Sequence, residues 1–321
     1  MIKPNILLGG HLFGYSLDRY ETYNLLSNAY LNGVYGIDTG GVYSSGISEQ
    51  IIGEWASTQG VGRTIRIISK LEVNKNSLSS DINYYFNSQL KLSLIRLKIS
   101  SIDTLLLHHF VDDIEFLNLT LKFFQDSIAS GLVQNWGICN INLEQFSLVA
   151  KIMNTIGLKR ITIQNYCNWA KRKHDYWKGF FDIANAQGIE LEALSYGIYG
   201  RGVLVSLDPQ NSSQENVGKS RNTLNEIILQ EKTDPLVHKI LREVNDFLPI
   251  SQYRLERFAL SFVLSQNTGA IVGIRSLDQL TRAISSYAQP YSHTIMFKIL
   301  EKINSELKNL KVGLGDPGLG G

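Results

Sequence analysis

The chain has 321 residues, 44% of them apolar, and a formal net charge of +2. That balance gives no case for nucleic acid or a membrane surface as the main partner, and no apolar run approaches the roughly 20 residues a membrane span requires. Two cysteines, Cys139 and Cys167, are too few to staple a fold of this size. With no charged-then-apolar leader at the start, a soluble cytoplasmic protein is expected.

Short apolar runs alternate with amphipathic stretches along the chain. Strands are predicted at Asn5–His11, Tyr35–Thr39, Thr64–Leu71, Ile102–His109, Asn135–Asn140, Arg160–Tyr166, Glu190–Ser195 and Ala270–Ile274. They are β-branched or leucine-rich and nearly continuous in hydrophobicity, as strands covered on both faces should be. Between them, Glu21–Leu31, Ser48–Ala56, Leu143–Ile156 and Tyr176–Ala186 repeat apolar residues at the helical period. Gly33, Gly131, Gly157 and Gly188 stand where helix C-terminal glycines stand. After the seventh strand, Ser206–Asp234 is polar and longer than an ordinary connection. Helical pattern resumes at Pro235–Phe247, where Leu236, Ile240, Leu241 and Val244 share a face, then at Leu255–Ser265 and about His293–Leu310.

Alternating β and α units imply a parallel sheet, and eight of them imply a closed barrel. An open doubly wound sheet is the alternative, disfavoured because no Gly-x-Gly-x-x-Gly follows the first strand. The expectation is an α/β protein, a single (β/α)8 TIM barrel over residues 1–312, since such barrels reach this length. It carries a long loop after the seventh strand, an extra C-terminal helix, and a Gly-rich, frayed tail over 313–321.

Asp38, Tyr43, Lys70 and His108 stand at or just past predicted strand ends. In a parallel barrel those ends converge on one mouth, where such folds keep their chemistry. A carboxylate, a phenol, an ammonium and an imidazole gathered there form a kit for moving a proton to or from an oxygen. Each also has a plain structural reading: Tyr43 as a loop aromatic, Asp38 as a cap on a loop amide. His109 should face the other side of its strand and is read as structural.

The string Ile37-Asp38-Thr39-Gly40-Gly41-Val42-Tyr43-Ser44-Ser45-Gly46-Ile47-Ser48-Glu49 closely resembles the signature of the aldo-keto reductases. Other pieces follow in family order: Ser69-Lys70, Leu107-His108, Gly137-Ile138-Cys139-Asn140, Ile163-Gln164-Asn165, Gly200-Arg201-Gly202-Val203-Leu204, and Ile271-Val272-Gly273-Ile274-Arg275 with Gln279. The resemblance runs from about Asn5 to Ser286. It implies a barrel that binds a nicotinamide cofactor without a Rossmann fold. It also implies Tyr43 as general acid, Lys70 as its activator, Asp38 as the anchor of Lys70, and His108 as the group orienting a carbonyl. A cation within ~4–6 Å lowers a phenol's pKa by roughly one to three units, so a depressed Tyr43 is expected.

On the cofactor side, the resemblance implies that Asn140 and Gln164 grip the nicotinamide carboxamide, with Asp38, Cys139, Ser195, Gly273 and Gln279 as further contacts. Arg275 matches a position that is commonly basic and binds the 2′-phosphate of NADP, at a helix start that favours anions. NADP is therefore expected over NAD. Ser276 and Gln279 also have capping-box spacing, which leaves a purely structural helix start open. Arg282, Ala283 and Leu194 depart from the common family pattern.

The expected activity is reduction of a small aldehyde or ketone, sugar-like compounds included, with hydride from NADPH and no metal. Tyr43, His108, Phe110, Trp169, Tyr196 and Tyr199 are candidates to line the pocket. The alternative is a non-catalytic, nicotinamide-nucleotide-binding barrel acting as a redox-sensing or partner-binding subunit. A third reading makes Lys70 a Schiff-base lysine. Ser206–Asp234 is expected to close over bound cofactor, with Lys219 or Arg221 touching phosphate.

Overall fold

Eight parallel strands follow one another in chain order, and their pairing order is that of a closed barrel. A computed structural model describes residues 6–73, 81–207 and 234–309. The strands are β1 (Ile6–Gly9), β2 (Gly36–Asp38), β3 (Arg66–Leu71), β4 (Ile102–Leu107), β5 (Val133–Cys139), β6 (Arg160–Tyr166), β7 (Glu190–Tyr196) and β8 (Gly269–Val272). All eight predicted strands are present. The reading ran long at His11 and at His108–His109, which lie past the paired residues. Gly10–Leu12 is a 3-10 turn, and β4 stops at Leu107. An apolar run does not mark where pairing stops, so the polar residues next to it read as strand; at His108 only the amide still bonds across, to the Leu71 carbonyl at 3.0 Å.

The helices are α1 (Arg19–Leu31), α2 (Ile47–Gln59), α3 (Ile82–Leu97), α4 (Ile114–Ala129) and α5 (Leu143–Ile156). They continue with α6 (Lys178–Ala186), α7 (Pro235–Phe247), α8 (Arg254–Leu264), α9 (Leu277–Ala288) and α10 (His293–Asn309). Helices α3 and α4 were not delimited from the pattern. In α3, exposed Tyr84, Leu92 and Ile95 blur the apolar stripe. Capping explains where several helices start. Asp18 accepts from the Glu21 amide while the Glu21 carboxylate accepts from the Asp18 amide, both at 2.8 Å. Asn142 and Gln145 do the same for α5, and a cap of this kind contributes about 1 kcal/mol. On α7 the buried face is Val237, Ile240, Leu241 and Val244; Val237 takes the place expected for Leu236.

The chain divides into two compact units, 1–165 with 177–194 and 166–176 with 195–321. The first holds β1 to β5, most of β6 and β7, and α1 to α6. Its registers set the strand C-terminal ends beside one another within a few residues: Gly9 lies opposite Asp38, Asp38 opposite Ile68, Lys70 opposite Leu106, Leu107 opposite Ile138, and Cys139 opposite Gln164. At the other end of these strands, the Arg66 guanidinium donates to both Glu192 oxygens at 2.6 Å, and Thr162 donates to the same carboxylate at 2.8 Å. The second unit holds β8 and α7 to α10. There Trp169 packs edge-on against Phe258, and Lys239 of α7 reaches Glu306 of α10 at 3.2 Å.

Among the described residues no helix is long and apolar enough to cross a membrane. Nearly all of the Ser206–Asp234 stretch, with Lys219 and Arg221, lies outside the described residues, as does the 313–321 tail.

The tightest strand contact falls at Gly137 on β5, where a Cβ would sit 1.9 Å from the Thr162 carbonyl oxygen on β6. Gly137→Ala must push the two strands apart. The expected cost is that of overpacking, about 1–3 kcal/mol, read as a lower urea midpoint. An unchanged midpoint would show that β5 and β6 yield there freely.

Candidate active site

Asp38 ends β2, and Lys70 lies one residue before the end of β3. Both are buried, at 4% and 3% exposure. The Lys70 ammonium donates to both Asp38 oxygens at 2.8 Å and to the Thr39 carbonyl at 2.7 Å, which accounts for its three protons. Gln164 on β6 donates to Asp38 Oδ1 at 2.7 Å, and the Cys139 thiol donates to Gln164 Oε1 at 3.5 Å. Burial works against the Lys70 charge, but Asp38 and then Tyr43 outweigh it and hold the ammonium above the usual lysine range.

Tyr43 lies in the loop after β2, opening a turn in which Ser44 and Ser45 are both left-handed, with φ of 50° and 56°. Such backbone costs of order 1–3 kcal/mol per residue and persists only when its surroundings hold it. Ser44 Oγ donates to the Phe13 carbonyl at 2.9 Å, and Ser48 Oγ to the Gly10 carbonyl at 2.8 Å. At the start of α2, buried Glu49 accepts from Ser69 of β3 and Arg96 of α3. The loop is thus tied on several sides, and the Lys70 ammonium sits 4.7 Å from the Tyr43 ring centre.

The expected depression of the Tyr43 pKa is not what this environment produces. Burial is the largest influence and pushes the phenol up to about 12, with Lys70 pulling down and Asp38 pushing up. The carboxylate that keeps Lys70 charged also cancels part of the field Lys70 exerts on the phenol.

His108 lies just past β4. Its Nδ1 is 3.0 Å from Oε2 of Glu72, which lies just past β3. That bond is the main reason the Glu72 carboxyl is held below the usual range, against the opposing effect of burial. Tyr43 meets the His108 ring edge-on, centroids 5.9 Å apart. His109 does not turn to the opposite face: its ring stacks on His108 at 4.7 Å. Strand alternation holds only inside the ladder, and both histidines lie beyond it. Glu72 is the residue the sequence reading missed; its one signal was a carboxylate two positions after Lys70 at a strand end.

Asn140 follows β5 with left-handed φ of 58° and an exposed side chain whose amide donates to the His108 carbonyl at 3.4 Å. Cys139 is buried, which pushes its thiol up to about 12 against the pull of Lys70; a neutral thiol is a poor nucleophile. The first unit therefore gathers Asp38, Tyr43, Lys70, His108, Cys139, Asn140 and Gln164.

The second unit holds Ser195, Gly273, Arg275 and Gln279. Ser195 shares a hydrogen bond with Thr268 at 3.2 Å, and Gly273 is exposed just after β8. Gln279 accepts from the Arg275 amide at 2.8 Å and donates from its own amide to Ser276 Oγ at 3.2 Å, so the structural helix start is realised. It leaves the Arg275 guanidinium exposed at the N-terminus of α9, with no hydrogen bond or ion pair among the described residues. Arg282 is engaged elsewhere, by Asp278 at 2.8 Å and Glu256 at 3.2 Å. Ala283, Leu194 and Trp169 are all buried, which makes Trp169 a packing residue and not an open pocket wall.

The sequence model of the Aldo/keto reductase family matches residues 5–304. Aldo-keto reductase AFTS1 of Alternaria alternata is 22% identical over 327 residues, covering 91% of this chain and 86% of that protein. Among solved structures, the glycerol dehydrogenase AKR11B4 of Gluconobacter oxydans has a TM-score of 0.73 at 18% identity, covering 96% of this chain and 94% of that one. An aldo/keto reductase of Klebsiella pneumoniae, in complex with NADP and acetate, has a TM-score of 0.65 at 16% identity, covering 93% and 91%. At such identities the structural likeness shows the fold.

Asp38→Ala leaves the buried Lys70 ammonium without its carboxylate. Removing one partner of a buried pair costs roughly 3–5 kcal/mol, to be read from urea unfolding at neutral pH. Because the folded pKa of Lys70 is raised, the stability linked to it is full below the ordinary lysine value of about 10.4. It is lost as pH climbs through the folded value, and the variant should lack that alkaline loss. A cost below about 1 kcal/mol would mean that the pair behaves like an exposed one.

Proposed function

The chain belongs to the aldo/keto reductase family, and we propose that it reduces a small aldehyde or ketone to an alcohol, with NADPH as the hydride donor. The observation that carries this reading is the buried Lys70–Asp38 pair held against the Tyr43 ring. A phenol with a pKa of about 12 keeps its proton throughout the neutral range, yet it remains a far stronger acid than an alcohol. Tyr43 donates that proton to the carbonyl oxygen. The phenolate left behind faces an ammonium that Asp38 prevents from moving away. Two unit charges 4–5 Å apart attract by roughly 3–4 kcal/mol at an effective dielectric of about 20. His108 hydrogen-bonds the carbonyl and orients it.

When bound, the nicotinamide nucleotide supplies the hydride. The residues present suit it. The exposed amide of Asn140 matches the donor and acceptor of a carboxamide, and the open Arg275 guanidinium at a helix N-terminus suits the 2′-phosphate. Asp38, Cys139, Gln164, Ser195, Gly273 and Gln279 complete the proposed contacts, with the Gln164 amide also bonded to Asp38. The NADP complex of the Klebsiella protein supports NADP over NAD. The polyol named for the Gluconobacter enzyme keeps sugar-like carbonyl compounds in the proposed substrate class. A complete proton-transfer set, together with the tying of the departure at Arg282 into local ion pairs, weighs against a non-catalytic role.

Tyr43→Phe is expected to lower carbonyl reduction by roughly 10²–10⁴-fold, the range for a general acid, with NADPH affinity unchanged in a fluorescence titration. Near-normal turnover by that variant would sink the assignment. Arg275→Ala is expected to weaken NADPH by about 10–150-fold, the worth of a charge-assisted hydrogen bond at roughly 1.5–3 kcal/mol, while NADH binding stays level. Equal weakening of both nucleotides would leave Arg275 with only a loop-shaping role.

A further inference from the structure

We propose that Glu72 is a positioning residue: by accepting from Nδ1 of His108 at 3.0 Å, it fixes the imidazole proton on that nitrogen and so decides when His108 can donate to a substrate oxygen. The inference deepens the reading of His108 as the group that meets the carbonyl, and rests on it.

An ionised carboxylate only accepts hydrogen bonds, so the nitrogen facing Glu72 must be the donor. A neutral imidazole has one N–H and one bare nitrogen. With the proton on Nδ1, neutral His108 presents a bare Nε2, and no hydrogen bond among the described residues engages that atom. A carbonyl oxygen is itself only an acceptor, so neutral His108 in this tautomer has nothing to offer it. The ring can orient a carbonyl through Nε2 only when both nitrogens carry protons.

Glu72 is placed for this task. Gln89 on α3 holds its backbone from both sides, accepting from the Glu72 amide at 2.8 Å and donating to the Glu72 carbonyl at 3.0 Å. The His–Glu pair is still partly open to solvent, at 18% and 31% side-chain exposure, where screening keeps an ion pair's contribution to stability modest, so orientation is its stronger effect. Other groups lie around the ring. His109 stacks on its face and lies close enough to Glu72 and His108 for the ligand atoms of all three to fall within 4.8 Å of one another. Glu72 nonetheless bonds to Nδ1 of His108, and Tyr43 meets the ring's edge from the loop after β2. Lys70 lies on the Tyr43 ring and is neutralised by Asp38, while His11 lies on Tyr43 at 6.4 Å. The Asn140 amide donates to the His108 backbone carbonyl and not to its ring.

The test uses the full chain in two measurements. Imidazole ¹⁵N NMR reads the tautomer, with His109→Gln distinguishing the two rings. Neutral His108 is expected as Nδ1–H in the wild type and in Glu72→Gln, whose amide oxygen can still accept, and to gain Nε2–H in Glu72→Leu. The pH profile of kcat/KM for reduction is the second readout. In the wild type it should fall by about tenfold per pH unit once the ring no longer carries both protons. In Glu72→Leu, where the neutral ring can carry its proton on Nε2, that limb should flatten, with NADPH binding unchanged. An Nε2–H tautomer in the wild type, or superposable profiles of wild type and Glu72→Leu, would overturn the proposal. Absence of any carbonyl turnover would instead overturn the reductase reading, and the NMR signal would still decide whether Glu72 fixes the tautomer.

Discussion

A lysine ammonium cannot stay charged out of water without a carboxylate, and Asp38 meets that constraint here for Lys70. The requirement reaches well beyond the pair. It needs β2 and β3 paired so that Asp38 lies opposite Ile68, two residues before Lys70, and the Thr39 carbonyl turned inward as a third acceptor. It also needs Gln164 from β6 to steady the carboxylate. Three strands are thereby committed to one geometry. Leaving either charge unpaired would cost several kcal/mol, a large share of a typical domain's stability of about 5–15 kcal/mol.

The same burial that makes the pair obligatory governs its neighbour. Tyr43 feels Lys70 at 4.7 Å, yet desolvation outweighs that field and Asp38 partly cancels it. A net-neutral ion pair cannot hold a phenol ionised in the resting protein. In the proposed reaction it can still act when the phenol's proton leaves, because the Lys70 ammonium lies against the ring that then carries the charge. A loaded donor at rest with a stabilised product state is what proton delivery to a carbonyl oxygen asks for. The Arg66–Glu192 pair, at the opposite end of the strands, serves a different end: its guanidinium is a third exposed, and its bonds run between strands.

Around this centre the structure adds groups whose value depends on direction more than on strength. The Glu72–His108 bond joins two partly buried side chains, and in the proposed reading its worth lies in fixing which imidazole nitrogen carries hydrogen. The Gln279 bond to the Arg275 amide closes the start of α9 and leaves the guanidinium outside that closure. In both cases one local hydrogen bond determines what a neighbouring side chain offers to a ligand.

The chain's periodicities alone determined the eight strands, most helices and the barrel order, because strand and helix faces repeat at fixed spacings and core burial rewards that repetition. The clustering of Asp38, Lys70 and His108 was legible for the same reason: ionisable residues ending apolar strands have one place to go in a parallel barrel. Past the last ladder bond no period applies. The stacking of His109 on His108 and the pairing of His108 with Glu72, 36 positions away, therefore emerged only with the tertiary structure. So did the Gln164–Asp38 bond across 126 positions. The direction of the Tyr43 shift was decided there too, because it depends on depth from water as much as on charge, and sequence spacing carries the charges but not the depth.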